Sequence, residues 1–573
     1  MSNDETKPQL TIDRRHDLDA LRAFAMLLGI ALHGALAYTA TPYWVIRDDH
    51  THWGFDMFIG AVHGFRMPLF FVVSGFFTAM LWRKRGFRSL AKQRGKRILL
   101  PLIVFGLTIL PLQVWIVGSI AGGDWESSRK GARDAEGAAM VPVETIWDAA
   151  KYNDVDALRG FVDEGADLDS ADPSFKFPPL NWAAINGSEE AVRVLVDAGA
   201  KIDVIIEDKS TPLSHAALMG HDEIVAYLLE EGANPNSVNT FNATPHDNTY
   251  VEADIAEWVI GMLGLTVDFE ESEAGRERCR QLLRADGGRG FQELEGAEES
   301  RETLTGAYMA FTEWRGFHTG DVFGHLWFLW YLVWLFVPFS IYTMIVNKAS
   351  WNGAPKWLFH FPTVLLWIVP ATFIPYWFNG LRSQEFGPET MTGWIPMPHI
   401  LTLYGVFFIF GVLYYDCDDR EGKVGRWWPL SLLAAVVVYP FSIWFTFEAA
   451  DVAKSMPEGW VRPLSVFTQA LYPWLVTFGL MGFFRWVFRS ERRPVRYISD
   501  ASYWLYVTHM PLVFVAQHLL RPLEWPAILK FLIVSATVTA VLLVVYEICV
   551  RYTPIGTMLN GKRVRATQRA GGG

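Results

Sequence analysis

Ten windows of roughly 20 apolar residues recur along this chain, near 18–40, 57–82, 98–120, 322–346, 357–378, 398–416, 427–449, 463–488, 500–519 and 527–550. A stretch of that length matches the hydrocarbon thickness of a bilayer when it is helical, so the spacing predicts an all-α, polytopic membrane bundle of about ten transmembrane helices. Composition agrees: 51% of the residues are hydrophobic and 25 are Trp, and the mean hydropathy is +0.17, too apolar for an ordinary soluble enzyme. Cys279, Cys417 and Cys549 lie far apart, which argues against a disulfide framework or a zinc site, and no metal is expected.

The loops sort by charge. "RKRGFRSLAKQRGKR" (83–97), "FRSERRPVRY" (488–497) and the tail from Arg551 are basic, whereas the loops of the other side hold only Arg47, Arg382, Lys454, Arg462 and Arg521. The positive-inside rule then makes both termini cytoplasmic: a polar leader (1–17) and a basic tail (553–573). The leader has no cleavable signal pattern, so the first span is expected to be retained. The membrane domain is divided into 18–120, with spans 1–3, and 321–552, with spans 4–10.

Between those parts lies a different kind of sequence. Residues 119–320 hold about 39 acidic and 16 basic residues, leaving the remainder about +12 within a total of −11. That is a soluble insert, expected outside. "WDAAKYNDVDALRGFVDEGADLD" (147–169), "PPLNWAAINGSEEAVRVLVDAGAKID" (178–203) and "TPLSHAALMGHDEIVAYLLEEGANPN" (211–236) align with one another, with Gly-Ala pairs at Gly165, Gly199 and Gly232. The pattern resembles the ankyrin repeat, in which a TPLHxA turn and first helix precede a second helix ending in a Gly-Ala turn. Stripes such as Val192, Leu195 and Val196 need a stacked neighbour to cover them. An ankyrin-repeat α-solenoid is assigned to 144–268, with a degenerate fourth repeat from Ala243, and 269–320 to a charged helical arm or linker. Such repeats imply a protein partner rather than chemistry.

Chemistry is sought among the ionisable residues inside the spans. Arg22 and His33 are eleven positions apart, about 20° around a helix and roughly 16 Å along it, so they share a face. Charge exposed to lipid is expensive, which turns that face into the bundle, and Asp19 can pair with Arg22 three residues on. An Arg near a span's end is commonly a snorkelling anchor, but His33 is too deep to snorkel. The second span adds His63, Arg66 and Ser74, and the loop after it adds Arg94 and Arg97, three apart and suited to phosphate oxygens, although the positive-inside rule populates that loop anyway. Later spans add His325, Trp327, Asp500, Ser502, His509 and Glu547. Any one of these could be a satisfied polar group between helices.

Four blocks, "DLDALRAFAMLLGIALH", "HGFRMPLFFVVSGFF" with its following "RGKR", "HLWFL" and "ASYWLYVTHMPLV", together resemble acyltransferase family 3, the ten-span integral-membrane acyltransferases, and within it the glucan biosynthesis succinyltransferase branch. The resemblance covers about 17–120 and 320–555; the insert departs from it, since that family usually has a short loop there. It implies His33 as catalytic base with Arg22 as its partner, and Arg94 and Arg97 at the phosphates of acyl-CoA. Asp19, His63, Arg66, Ser74, His325, Trp327 and His509 are implied as substrate contacts or structural support. The implied reaction moves an acetyl or succinyl group from cytoplasmic acyl-CoA to a hydroxyl of an extracytoplasmic carbohydrate. Acyl-CoA is then a donor substrate and no tightly bound cofactor is expected; the lipid bilayer, of a bacterial inner membrane, is a partner and nucleic acid is not. The competing reading is a proton-coupled transporter or sensor with an ankyrin ligand-binding module, for which inverted repeats would be the sign; none is visible.

Overall fold

The computed structural model describes residues 15–41, 44–134, 143, 145–172, 175–206, 208–239, 243–251, 269–294, 323–349, 355–379, 386–390, 393–447, 456, 459–561 and 563. Most of the leader, residues 252–268 of the fourth repeat, residues 295–320 of the expected arm and most of the tail lie outside the described residues. The chain divides into two compact units, Met1–Ala121 with Trp314–Gly573, and Gly122–Glu313. The first unit begins with α1 (His16–Ala35), α2 (Trp53–Arg94) and the part of α3 (Leu100–Asp134) up to Ala121. α2 breaks at Gly86, whose φ of 76° is a left-handed value that costs glycine nothing, and a π-helical turn at Gly95–Leu99 joins it to α3.

The second unit is the repeat stack: α4 (Ile146–Lys151) with α5 (Val155–Asp163), α6 (Pro179–Asn186) with α7 (Glu189–Asp197), α8 (Pro212–Met219) with α9 (Asp222–Glu230), then α10 (Pro245–Asn248). The recurring residues build its ends. Thr145, Thr211 and Thr244 cap first helices by accepting a backbone N–H, and Pro212 and Pro245 take the first helical position, where no N–H is needed. Leu180, Val192, Leu195, Leu213, Val225 and Leu228 join in one core across the stack. The expected charged arm begins differently from a free arm. Residues 269–285 form α11 (Phe269–Ala285), which closes the stack: Cys279 and Leu283 are fully buried in the repeat core, and Ser272 donates to the Met219 carbonyl at 2.7 Å. Only that sparse stripe faces inward while Arg278 pairs with Asp222 at 2.6 Å outside, so the helix reads as charged by composition.

The first unit resumes with α12 (Trp327–Ala349), α13 (Leu365–Trp377), α14 (Pro398–Cys417), α15 (Trp428–Phe447), α16 (Val461–Val487), α17 (Arg493–Leu520), α18 (Ala527–Val545) and α19 (Pro554–Asn560). Each of the ten apolar windows contains helix, the one at 357–378 having only a short 3₁₀ turn before Leu365, and the described residues contain no strand. Among the described residues, seven helical stretches are long and apolar enough to cross a membrane; one of them, Trp53–Ile120, holds two windows, α13 has 13 residues, and α17 is absent from the seven. α17 carries Asp500, His509 and Gln517 among its buried residues, which lowers its hydropathy. Outward residues such as Leu107, Val436 and Ile548 are exposed and apolar, as a lipid-facing surface requires. α2 and α14 cross at glycines: a Cβ on Gly75 would stand 1.9 Å from the Phe408 carbonyl oxygen, and one on Gly411 2.0 Å from that of Val72.

Gly75→Ala is therefore expected to cost about 1–3 kcal/mol, seen as a lower melting temperature of the detergent-solubilised protein, while Gly106→Ala, whose added Cβ meets nothing within 4 Å, leaves it unchanged. In the repeat unit, burial lowers the His215 imidazole to about 4, below the 6.5 of an exposed imidazole. The unfolded chain then binds the extra proton first, so stability is complete above pH 6.5 and declines as pH falls toward 4. Melting of the full-length protein over that window should fall less steeply in His215→Asn than in the wild type.

Candidate active site

The face of α1 that lipid cannot accept is met by α17. Arg22 Nη2 donates to the Ser499 carbonyl at 2.9 Å and to its Oγ at 2.8 Å, with Asp19 Oδ1 3.7 Å away. Eleven residues further on, His33 Nδ1 lies 2.8 Å from His509 Nε2, the rings stacked with centroids 5.0 Å apart. Gln517 then donates to the carbonyls of His33 and Gly34 at 3.0 and 3.3 Å. The partners advance in step along both helices, so α1 and α17 run parallel.

The histidine pair has a determined proton order. His509 Nδ1 is 2.8 Å from the Tyr506 carbonyl, which can only accept, so this nitrogen carries the hydrogen. In the neutral ring Nε2 is then an acceptor, and His33 Nδ1–H donates to it. Neutral His33 is left with a bare Nε2. Trp44 stacks on the His33 ring at 6.2 Å and donates from Nε1 to Gln517 Oε1 at 2.9 Å. His325 stands edge-on to His509 with centroids 5.3 Å apart and donates from Nε2 to the Val507 carbonyl at 3.3 Å. Among the described residues, no group of three or more His, Cys, Asp or Glu could hold a metal ion.

On the Arg22 side lies a cavity of about 430 Å³, whose lining includes Arg22, Ser74, Arg85, Arg94, Arg97 and Tyr506. The break at Gly86 turns the end of α2 back on itself, so Arg94 donates to Thr78 Oγ1, which donates in turn to the Ser74 carbonyl at 2.6 Å. Tyr503 donates from its hydroxyl to the Arg97 carbonyl at 2.7 Å. Tyr506 belongs to both places: its ring lines the cavity, its carbonyl takes the His509 hydrogen, and its hydroxyl donates to the His325 carbonyl at 2.6 Å.

The structure thus brings Arg22, Ser74, Arg94 and Arg97 to one cavity, and His33, His325 and His509 to one cluster. Others fall elsewhere. His63 points to the segment after α13 and lies 3.0 Å from the Pro388 carbonyl. Trp327 packs against Tyr404 and Tyr331 at 5.4 and 5.3 Å, an aromatic core position. Arg66 lies against Gly29 of α1. Ser499, Tyr506, Trp44 and Gln517 carry no mark in the sequence that separates them from ordinary span residues. Asp48 and Lys530 were equally silent: they form a buried ion pair at 2.7 Å, 3% and 0% exposed, which pins the α1–α2 loop bearing Trp44 to the start of α18.

A family model described as "Acyltransferase domain" matches residues 15–130 and 282–547, and one described as "Ankyrin repeats (3 copies)" matches 146–239. The curated "Glucans biosynthesis protein C" of Salmonella paratyphi B and that of Salmonella heidelberg are each 37% identical to this chain over 99 residues. That stretch spans 17% of this chain and 24% of the length of each relative.

The pinned loop is testable apart from any reaction. Asp48→Ala leaves a buried ammonium unpaired and should cost about 3–5 kcal/mol, whereas Asp48→Leu combined with Lys530→Met should recover most of that loss in the melting temperature.

Proposed function

This chain belongs to the acyltransferase family matched by its membrane domain, and on that premise we propose that it moves an acyl group from cytoplasmic acyl-CoA to a hydroxyl of an extracytoplasmic glycan. It is an acyltransferase and a multi-pass membrane protein; the donor, the acceptor and the residue roles are the proposal. The observation that carries it is the face of α1, which joins a cavity bearing Arg22, Arg94 and Arg97 to a histidine with a bare Nε2 roughly 16 Å away. Guanidinium groups suit the phosphates of acyl-CoA, and the cavity lies toward the basic side that the positive-inside rule assigns to the cytoplasm. The pantetheine arm would extend along α1 and bring its thioester to His33.

The chemistry follows from the proton order. His33 Nε2 takes the proton of the attacking hydroxyl, and the positive charge that forms is shared through Nδ1–H with His509, whose own hydrogen is held by the Tyr506 carbonyl. That chain keeps the productive tautomer in place. Arg22, held by Ser499, orients the donor end of α1. The relatives' printed name supports a glucan as the acceptor, with acetyl or succinyl as the transferred group. In this reading both termini are cytoplasmic in a bacterial inner membrane, and the ankyrin insert, outside, engages the acceptor or a protein partner.

Mass spectrometry of surface glycans from cells with and without the protein tests the function, since the mass difference identifies the acyl group. In the purified protein His33→Ala should lower transfer by about 10²–10⁴-fold while the protein still inserts and folds, His509→Ala should be less severe, and Arg94→Ala with Arg97→Ala should raise the KM for acyl-CoA. Undiminished transfer by His33→Ala would refute the mechanism.

A further inference from the structure

The acyl-transfer step described above needs more than a base. When the hydroxyl oxygen attacks the thioester carbon, the carbonyl π electrons move onto oxygen, and that oxyanion must be stabilised inside a bundle from which water is excluded. Neither His33 nor His509 can do this, because one hydrogen of the pair is held by His509 and the other by the Tyr506 carbonyl.

A cation without an anion stands beside them. The Arg66 guanidinium has no carboxylate among the described residues, and its buried Nε meets no acceptor. By contrast, Arg15 is met by Asp17 at 2.7 Å, Arg83 by Asp416 at 2.7 Å, and Arg22 by Ser499. A buried charge kept unpaired is costly and is tolerated where something else arrives to meet it. Its position is also specific. Arg66 Nη1 occupies the space above Gly29, where a Cβ would lie 2.8 Å away, and Gly29 is one helical turn before His33 on the same face, with Cβ positions about 5–6 Å apart. The missing side chain at 29 is the opening through which the guanidinium reaches the α1 face between Arg22 and His33.

We propose that Arg66 is a catalytic residue of the transfer step, donating N–H to the oxyanion that forms on the thioester carbonyl. The inference rests on the acyl-transfer reading given above. In the step, the hydroxyl oxygen bonds to the carbonyl carbon as its proton passes to His33 Nε2, and the carbonyl oxygen becomes an anion against Arg66. Collapse re-forms the C=O and breaks the C–S bond, and the thiolate leaves with the proton returned from His33. The products are an ester and free CoA thiol.

The test uses the full-length protein in detergent or nanodiscs, with acetyl-CoA and succinyl-CoA as probes and the purified glycan acceptor. Arg66→Gln should lower kcat by about 10²–10³-fold with the donor KM within about twofold of wild type. Arg66→Lys should keep part of that activity, and guanidinium ion added to Arg66→Ala should restore part of it. Gly29→Val, which puts a side chain where Arg66 Nη1 lies and so displaces the guanidinium while residue 66 stays an arginine, should also lower kcat. A wild-type kcat in Arg66→Gln, or a loss confined to the donor KM, overturns the assignment. Should Arg66→Gln melt too early to assay, Arg66→Lys and Gly29→Val decide by the same kcat criterion. No transfer by the wild type from either thioester overturns the acyl-transfer reading and this inference with it; transfer by the wild type with unaffected variants overturns this inference alone.

Discussion

The membrane unit depends on the parallel pairing of α1 with α17. α1 carries a guanidinium and an imidazole that lipid cannot solvate, and α17 supplies a partner for each, Ser499 for Arg22 and His509 for His33, before Gln517 takes the backbone carbonyls at the far end. Remove those partners and α1 is an apolar helix with two unsolvated groups. With them it becomes an interior wall, and the same bonds that make it stable set the tautomer of His33. Stability and chemistry share one set of hydrogen bonds here.

Glycines do the complementary work of bringing elements close enough for polar groups to act. Gly75 and Gly411 let α2 and α14 cross nearly backbone to backbone, and α2 is held further by the Arg83–Asp416 pair at 2.7 Å. Gly86 then breaks α2 so that its basic end folds back and Arg94 reaches Thr78. Gly29 vacates a patch of α1 that Arg66 fills. Bulk at Gly75 or Gly411 would push α2 from α14, and bulk at Gly29 would displace the Arg66 guanidinium itself.

Much of this was legible beforehand. Length and hydropathy are local properties, so the apolar windows landed on helices, and the recurring Thr-Pro and Gly-Ala turns landed on caps and left-handed glycines such as Gly199, with φ of 95°. Arg22 and His33 could be put on one face because helical period is also local. What escaped was whatever depends on a distant neighbour. α11 looked like a free charged arm because its inward stripe of Ser272, Gly275, Arg276, Cys279 and Leu283 is sparse in apolar residues, and only the stack shows what they cover. Asp48 and Lys530 look like ordinary loop and helix-end charges until the fold buries them together.

By itself the sequence determined a helical membrane unit interrupted by a repeat solenoid, the family, and a polar face on the first helix carrying Arg22 and His33. Only the tertiary structure decided that His33 is the donor to His509 and so keeps Nε2 bare, that Tyr506 ties the histidines to the arginine-lined cavity, and that Arg66 meets no carboxylate among the described residues. The physical reason is distance along the chain: helical period and hydropathy are written within about twenty residues, whereas His33 and His509 are 476 positions apart, and no local pattern states which of two buried rings will hold the hydrogen.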